Sequence, residues 1–229
     1  MPAAGPLRLG IVIPARNEAA RIGDVLARIE SVAGIRAHTV LVVDDGSSDD
    51  TSRIAREGGA TVVRHAVNLG KGGALRTGCD LALREGCEVI AMMDADGQHN
   101  PADLPRLVAP LLAGEADIGC AYRQFGADMP AAMRLGNQVL SRVFQLLYGT
   151  HVTDTQCGLR AFTAGAYEKV RWSATDYSVE TEMLVRASRA HLRLCEIEIA
   201  TLYHDRYKGT TPMDGLKIFA NMIMWRLGP

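Results

Sequence analysis

The stretch that most constrains this chain runs from Glu88 to Pro101, where an apolar run of strand length, Val89 to Met93, ends in two carboxylates, Asp94 and Asp96. A short continuous apolar segment closed by Gly97, a polar cluster and a proline reads as a buried strand that delivers acid to its own carboxyl end. The same alternation recurs around it. Residues 7–14, 38–43, 60–64 and 117–121 read as further strands. Between them, Ile22, Val25, Leu26, Ile29 and Val32 fall at helical spacing, and helices are expected near 52–57, 74–85 and 102–113. Strands alternating with helices at this spacing predict an α/β fold with a mainly parallel central sheet flanked by helices. In such sheets ligands bind beyond the carboxyl ends of the strands, which nominates Asp94 and Asp96. Two carboxylates this close repel unless a cation lies beside them. The oxygen-only set Asp94, Asp96 and Gln98 suits a hard divalent ion, Mg2+ or Mn2+, although a bare D-x-D is also compatible with a solvated acidic turn.

The second half changes character. One long amphipathic helix is expected over residues 130–148, a helix over 179–190 that opens with Glu180 and Glu182, and a strand over 194–202. The last helix, 213–227, is apolar nearly all round, so it has to bury against the domain, a second copy or a bilayer surface. The Gly70 to Gly73 segment would let backbone N–H groups approach a phosphate, but it fits neither a P-loop nor a dinucleotide fingerprint.

A chain of 229 residues is long enough for one sizeable core. A formal charge of -1 gives no reason to expect nucleic acid, so any phosphate binding is local. Five cysteines with no C-x-x-C pair read as reduced thiols of a cytoplasmic protein, not as a zinc site. No signal peptide is evident, and no window reaches the roughly 18 apolar residues of a membrane span.

Five motifs stand in a telling order: Pro14-Ala-Arg16-Asn17-Glu18, Val42-Val43-Asp44-Asp45-Gly46-Ser47-Ser48-Asp49, Asn68-Leu-Gly70-Lys71-Gly72, Asp94-Ala-Asp96-Gly97-Gln98 and Asp154-Thr-Gln156-Cys157-Gly158-Leu-Arg160. In that order they resemble family 2 glycosyltransferases of the GT-A fold, and within the family the polyprenyl (dolichyl) phosphate mannosyl- and glucosyltransferases. The resemblance implies a single GT-A (Rossmann-like) domain over residues 1–229. Residues 7–121 would form the nucleotide-sugar-binding half, 122–212 the acceptor half and 213–227 a C-terminal amphipathic helix.

Site roles follow from the same resemblance. Pro14, Arg16 and Glu18 would border the nucleoside and Asp44 would contact it; Asp94 and Asp96, with Gln98, would hold the metal on the diphosphate. Lys71 reads either as a cation beside the phosphates or as a solvated loop residue. Asp45, Ser47 and Asp49 read first as turn and capping residues. A lipid monophosphate is already anionic and needs cations more than a base, which singles out Arg123, Arg134, Arg206 and Lys208 as a phosphate clamp, whereas Arg142 fits a solvated helix face. Asp96, Arg123, Arg134 and Arg206 are thus the expected catalytic set. If the acceptor were a hydroxyl, Glu180 or Glu182 would be its base; with a phosphate acceptor Glu180 would cap its helix and Glu182 would brace a basic residue. His99 and His204 read as surface or hydrogen-bonded histidines. Asp154 and Gln156 either orient a substrate or fix the Gly158 turn.

The implied reaction moves mannose or glucose with inversion from GDP-mannose or UDP-glucose to a polyprenyl phosphate. The alternatives are a sugar hydroxyl acceptor and a catalytically silent nucleotide-sugar-binding subunit. Such a protein would be cytoplasmic and would meet its lipid at the inner face of the membrane, or form a homodimer, through the last helix. The tail departs from the family pattern by lacking a Ser-Lys pair after Tyr203.

Overall fold

The computed structural model describes residues 8–32, 38–124, 131–200 and 212–228. The first half alternates as its periodicity predicts: β1 (Leu9–Ala15), α1 (Ile22–Glu30), β2 (His38–Asp44), α2 (Thr51–Glu57), β3 (Thr61–Arg64), α3 (Lys71–Arg84) and β4 (Val89–Met92). A 3-10 turn (Pro101–Asp103) then runs into α4 (Leu104–Leu112), followed by β5 (Ile118–Arg123) and α5 (Ala131–Tyr148). The rest is β6 (Arg160–Thr163), α6 (Ala164–Val170), α7 (Val179–Arg189), β7 (Leu194–Ile199) and α8 (Pro212–Leu227). Among the described residues seven strands form one sheet in the order β3-β2-β1-β4-β6-β5-β7.

The sheet is parallel except for β6, which runs antiparallel to both β4 and β5. Strand and helix at 160–170 are additions to the sequence reading. Arg160-Ala-Phe-Thr carries too short an apolar signal, and a charged first residue argues against a central position.

Both faces of the sheet are covered, so successive side chains of one strand enter different cores. Ile11 and Ile13 of β1 face α1 and α4, whereas Val12 packs with Leu75 and Cys79 of α3 in the core shared with α5 to α8. Helix α3 lies close on β1 because Gly78 faces Val12, whose Cγ1 would stand 2.3 Å from a Cβ placed there.

Helix α3 also starts three residues before the expected position. Gly70 adopts φ +85, and Cβ atoms on Gly70 and Gly72 would lie 2.2 Å from the carbonyl oxygens of Thr175 and Ala174. Glycine is a poor helix former, yet here only glycine admits the neighbouring backbone, and tertiary packing overrides propensity. Of the three surfaces helix α8 could bury against, it packs on the domain with one face: Ile218 and Met222 are enclosed, and the Tyr148 hydroxyl of α5 donates to the Met222 carbonyl at 2.7 Å.

Candidate active site

The site is assembled where the parallel strands end. After β4 the chain turns through Asp94 and Asp96, with Gly97 at φ +75. Lys71, in the first turn of α3, places its ammonium 2.8 Å from Asp94 Oδ1 and 2.8 Å from Glu180 Oε1 on α7. Three segments far apart in sequence thus converge on one cation. The segment before β6 closes the cluster from behind, since a Cβ on Gly158 would lie 2.5 Å from Asp94 Oδ2. The reading of Lys71 as a solvated loop residue is therefore corrected: the side chain is largely enclosed, and the Tyr177 ring centroid lies 5.9 Å from its Nζ.

The two acids of the pair are pressed in opposite directions. Burial favours the neutral form of Asp94, but Lys71 outweighs it and lowers its pKa. Asp96 is raised, first by burial and then by the charge of Asp94; its Oδ1 accepts the Gln98 amide at 3.0 Å. Of the two readings of His99, surface or hydrogen-bonded, the structure excludes the first. The side chain is buried, its Nε2 lies 4.0 Å from Cys157 Sγ, and its Nδ1 has no hydrogen-bond partner. Burial lowers its pKa even though Asp94 and Asp96 stand nearby.

The donor chemistry fits a hard divalent ion. Magnesium is commonly held by one or two carboxylates while substrate phosphates and water complete its shell. Asp94 and Asp96 offer such a pair, and among the described residues no three His, Cys, Asp or Glu side chains converge on one point.

Beside this cluster, the ends of β1 and β2 are tied together. The Asn17 amide donates to Ser47 Oγ at 2.9 Å, the Glu18 amide to Thr51 Oγ1 at 2.9 Å, and the Ala19 amide to Asp49 Oδ2 at 3.1 Å. Arg16 is exposed at this edge, Pro14 is half-buried, and Glu18 pairs with Arg21. Asp44 is completely enclosed. Its carboxylate takes the Ser47 amide at 2.8 Å and the Ser52 hydroxyl, with Arg64 at 3.7 Å, so the group expected at the nucleoside is engaged inside its own turn. Asp45 accepts the Leu69 and Gly70 amides at 2.8 Å each, and the Gly72 amide donates to Thr175 O at 2.9 Å. The glycine segment therefore spends these amides on the protein itself, which corrects the expectation of a backbone phosphate cradle there.

On the acceptor side the structure separates the expected residues. Arg123 turns its fork onto buried Asp154, with Nε at 2.6 Å and Nη2 at 3.0 Å. That bidentate pair corrects the picture of Arg123 as an open phosphate clamp. Arg134 lies half-buried in the first turn of α5. Arg206, Lys208 and His204 lie outside the described residues. Glu182 accepts the Ser173 and Ala174 amides at 3.0 and 2.7 Å and Arg186 Nε at 2.8 Å, in keeping with a bracing role. Glu180 differs from the expected helix cap: its carboxylate goes to Lys71. Arg160 and Tyr177 were not singled out from sequence. Only the position of Arg160 at the end of a motif hinted at a role.

The acidic turns set a pH response. Burial raises the pKa of Asp44, but hydrogen bonds from Ser47 and Ser52 and the charge of Arg64 bring it below the ordinary 3.8. Asp49, Asp80, Asp117 and Asp176 are also lowered, held by Thr51, Arg171, Arg193 and Lys217. A carboxyl with a lowered folded pKa stabilises the protein above its unfolded pKa, and that contribution is lost as pH falls through the folded value. The melting temperature is therefore expected to fall steeply below about pH 4, where these carboxylates are protonated, with a separate decline that starts below about pH 6.5 as the buried His99 resists protonation. In Asp44→Asn a thermal melt series should show a shallower acid decline; an unchanged slope would remove Asp44 from the explanation.

Comparisons with known proteins agree with this geometry. The family model Glycosyl transferase family 2 matches residues 10–171. The UDP-N-acetylglucosamine--dolichyl-phosphate N-acetylglucosaminyltransferase of Methanococcus voltae is 31% identical over 95% of this chain and 96% of its own length. The polyprenol monophosphomannose synthase of Mycolicibacterium smegmatis is 30% identical over 91% of this chain and 82% of its own. Among solved structures, glucosyl-3-phosphoglycerate synthase from Mycobacterium tuberculosis, in complex with Mn2+, uridine diphosphate and phosphoglyceric acid, superimposes with a TM-score of 0.80. That match covers 98% of this chain and 80% of the other at 21% identity, and it establishes the GT-A fold. An acidic pair at the end of a central parallel strand, the ordered motifs and these matches lead to one assignment: the chain belongs to glycosyltransferase family 2.

Proposed function

We propose that this protein transfers a hexose, mannose or glucose, from a nucleotide-diphosphate sugar to a polyprenyl phosphate with inversion at the anomeric carbon. The observation that carries the choice of acceptor is the engagement of both candidate bases. Glu180 is bound to Lys71, and Glu182 is held by two amides and Arg186. A hydroxyl acceptor needs a proton taken from it, whereas a phosphate monoester attacks as an anion. Two relatives whose names specify lipid phosphate or polyprenol chemistry support the same reading.

In this reading residues 7–121 serve the donor and 122–212 the acceptor. Pro14, Arg16 and Glu18 border the nucleoside, across the turn that Asp44 stiffens. Asp94 and Asp96, with Gln98, hold Mg2+ or Mn2+, which supplies charge stabilisation to the departing diphosphate. Lys71 stands beside the diphosphate as a further cation. Arg134, Arg206 and Lys208 receive the acceptor phosphate, and Arg123 acts through Asp154 to set the end of β5.

The acceptor lipid sits in a membrane, and among the described residues no helix is long and apolar enough to cross one. In this reading the membrane is met peripherally, at its cytoplasmic face, through the exposed Leu135, Val139 and Leu146 of α5 and Leu216, Met224 and Leu227 of α8.

The test uses purified protein, Mn2+ and vesicles carrying a short polyprenyl phosphate, with labelled GDP-mannose, UDP-glucose and UDP-N-acetylglucosamine offered separately. Label from a hexose donor should move into the organic phase only when the lipid phosphate is present. Transfer from UDP-N-acetylglucosamine alone would overturn the choice of sugar. Donor consumption without extractable product would overturn the lipid acceptor.

A further inference from the structure

Lys71 occupies the position a metal ion would contest. Its ammonium stands at hydrogen-bond distance from both Asp94 and Glu180, 2.8 Å in each case. The turn of α3 that carries the side chain is locked, so the ammonium stays within reach of both carboxylates. The Gly72 amide bonds to Thr175 O, the Trp172 indole donates to Gly72 O at 2.8 Å, and Gly70 and Gly72 leave no space against residues 174–175. Asp94 is confined as well, since the backbone at Gly158 abuts its Oδ2. A divalent ion approaching Asp94 therefore meets a cation already in contact with it, and like charges at such range repel strongly in a partly desolvated site.

We propose that Lys71 is a resident counter-cation that holds Asp94 while the protein is free of metal and passes to Glu180 when a divalent ion binds. Glu180 is the waiting seat, already in contact with the same ammonium. Two consequences follow. The protein alone binds metal weakly, because binding has to displace Lys71 from Asp94. A diphosphate offers the displaced ammonium a second anionic partner, so nucleotide and metal bind with positive cooperativity. Lys71 is in this sense a positioning residue, and its role rests on the reading of Asp94 and Asp96 as the metal pair.

The experiment measures Mn2+ binding to the protein alone, by the electron paramagnetic resonance signal of free Mn2+, at pH 8, where protons compete least for the carboxylates. Lys71→Met should tighten Mn2+ binding by about tenfold or more, a conservative figure for removing a unit charge at this range. Glu180→Gln should act in the opposite direction: it removes the second seat, leaves Lys71 wholly on Asp94 and weakens binding several-fold. Added UDP or GDP should tighten binding in the wild type more than in Lys71→Met. A merely structural Lys71 would move both variants the same way or neither, and that result would overturn the proposal while Mn2+ binding by the wild type left the metal pair standing. If Lys71→Met fails to fold, Glu180→Gln decides alone, since unchanged or tighter binding contradicts the handover. Wild-type protein that binds no Mn2+ with or without nucleotide would overturn the metal pair itself.

Discussion

Asp96→Ala is expected to fold normally and to lose transfer almost completely, by about 10^3-fold or more in kcat, the scale at which removing one group that stabilises developing charge is felt. The two halves of that expectation come from the same fact. Burial and the neighbouring Asp94 carboxylate raise the pKa of Asp96, so the folded protein bears a cost for holding this charge. Removing it relieves that cost and gives up little, because the described hydrogen bond to its carboxylate is the local one from the Gln98 amide. A group that burdens the fold and contributes so few contacts is one whose loss the fold should tolerate, while the proposed metal site should not. Melting temperature and single-turnover transfer, measured side by side, check the pair of expectations. An unchanged or higher melting temperature with no transfer and no Mn2+ binding agrees with them. Transfer within a few-fold of wild type would remove Asp96 from the metal site.

The first half of the fold was legible because each strand there is a continuous apolar run and each helix is amphipathic, with turn residues between. Residues that break those rules were missed, and each has a physical reason. Strand β6 lies inside the sheet, between β4 and β5, yet opens with Arg160, a charge that a pattern argument assigns to the surface. Helix α3 begins within a glycine run that propensity assigns to a loop, because close approach to residues 174–175 decides there. The site was legible in part. Acid at the end of β4 could be read from the chain, since strand and carboxylates are contiguous. The partners of that acid could not, because Lys71, Asp94 and Glu180 meet only through the packing of α3 and α7 on the sheet. Arg123 shows the same limit from the other side. Its position after β5 is readable, but its capture by Asp154, 31 residues away, is a tertiary fact. His99 also looked isolated in sequence, although it lies five residues beyond Asp94 on the same turn.

Arg160→Met should cost the most stability of any change near the site. The side chain is 1% exposed, and its Nε, Nη1 and Nη2 donate to the carbonyl oxygens of Cys157, Glu180 and Thr155 at 3.0, 2.5 and 2.8 Å. One guanidinium therefore stitches the loop before β6 to the first turn of α7, the turn that carries Glu180 to Lys71. Methionine fills much of the volume but donates nothing, and carbonyls deprived of a buried donor cost about 1–3 kcal/mol each. With some hydration of the freed carbonyls the loss is about 3–5 kcal/mol, on the scale of a broken buried charge interaction. For a domain of this size it corresponds to a fall of about 10 °C or more in melting temperature. Arg160→Lys keeps the charge but reaches fewer of the carbonyls, so it should recover part of the stability and part of the activity. Below the melting transition Arg160→Met should still transfer slowly, because Glu180 loses the fixed backbone that aims it at Lys71. A variant with full activity and only a lowered melting temperature would show that Lys71 and Asp94 hold Glu180 in place without the stitch, and that Arg160 serves the fold alone.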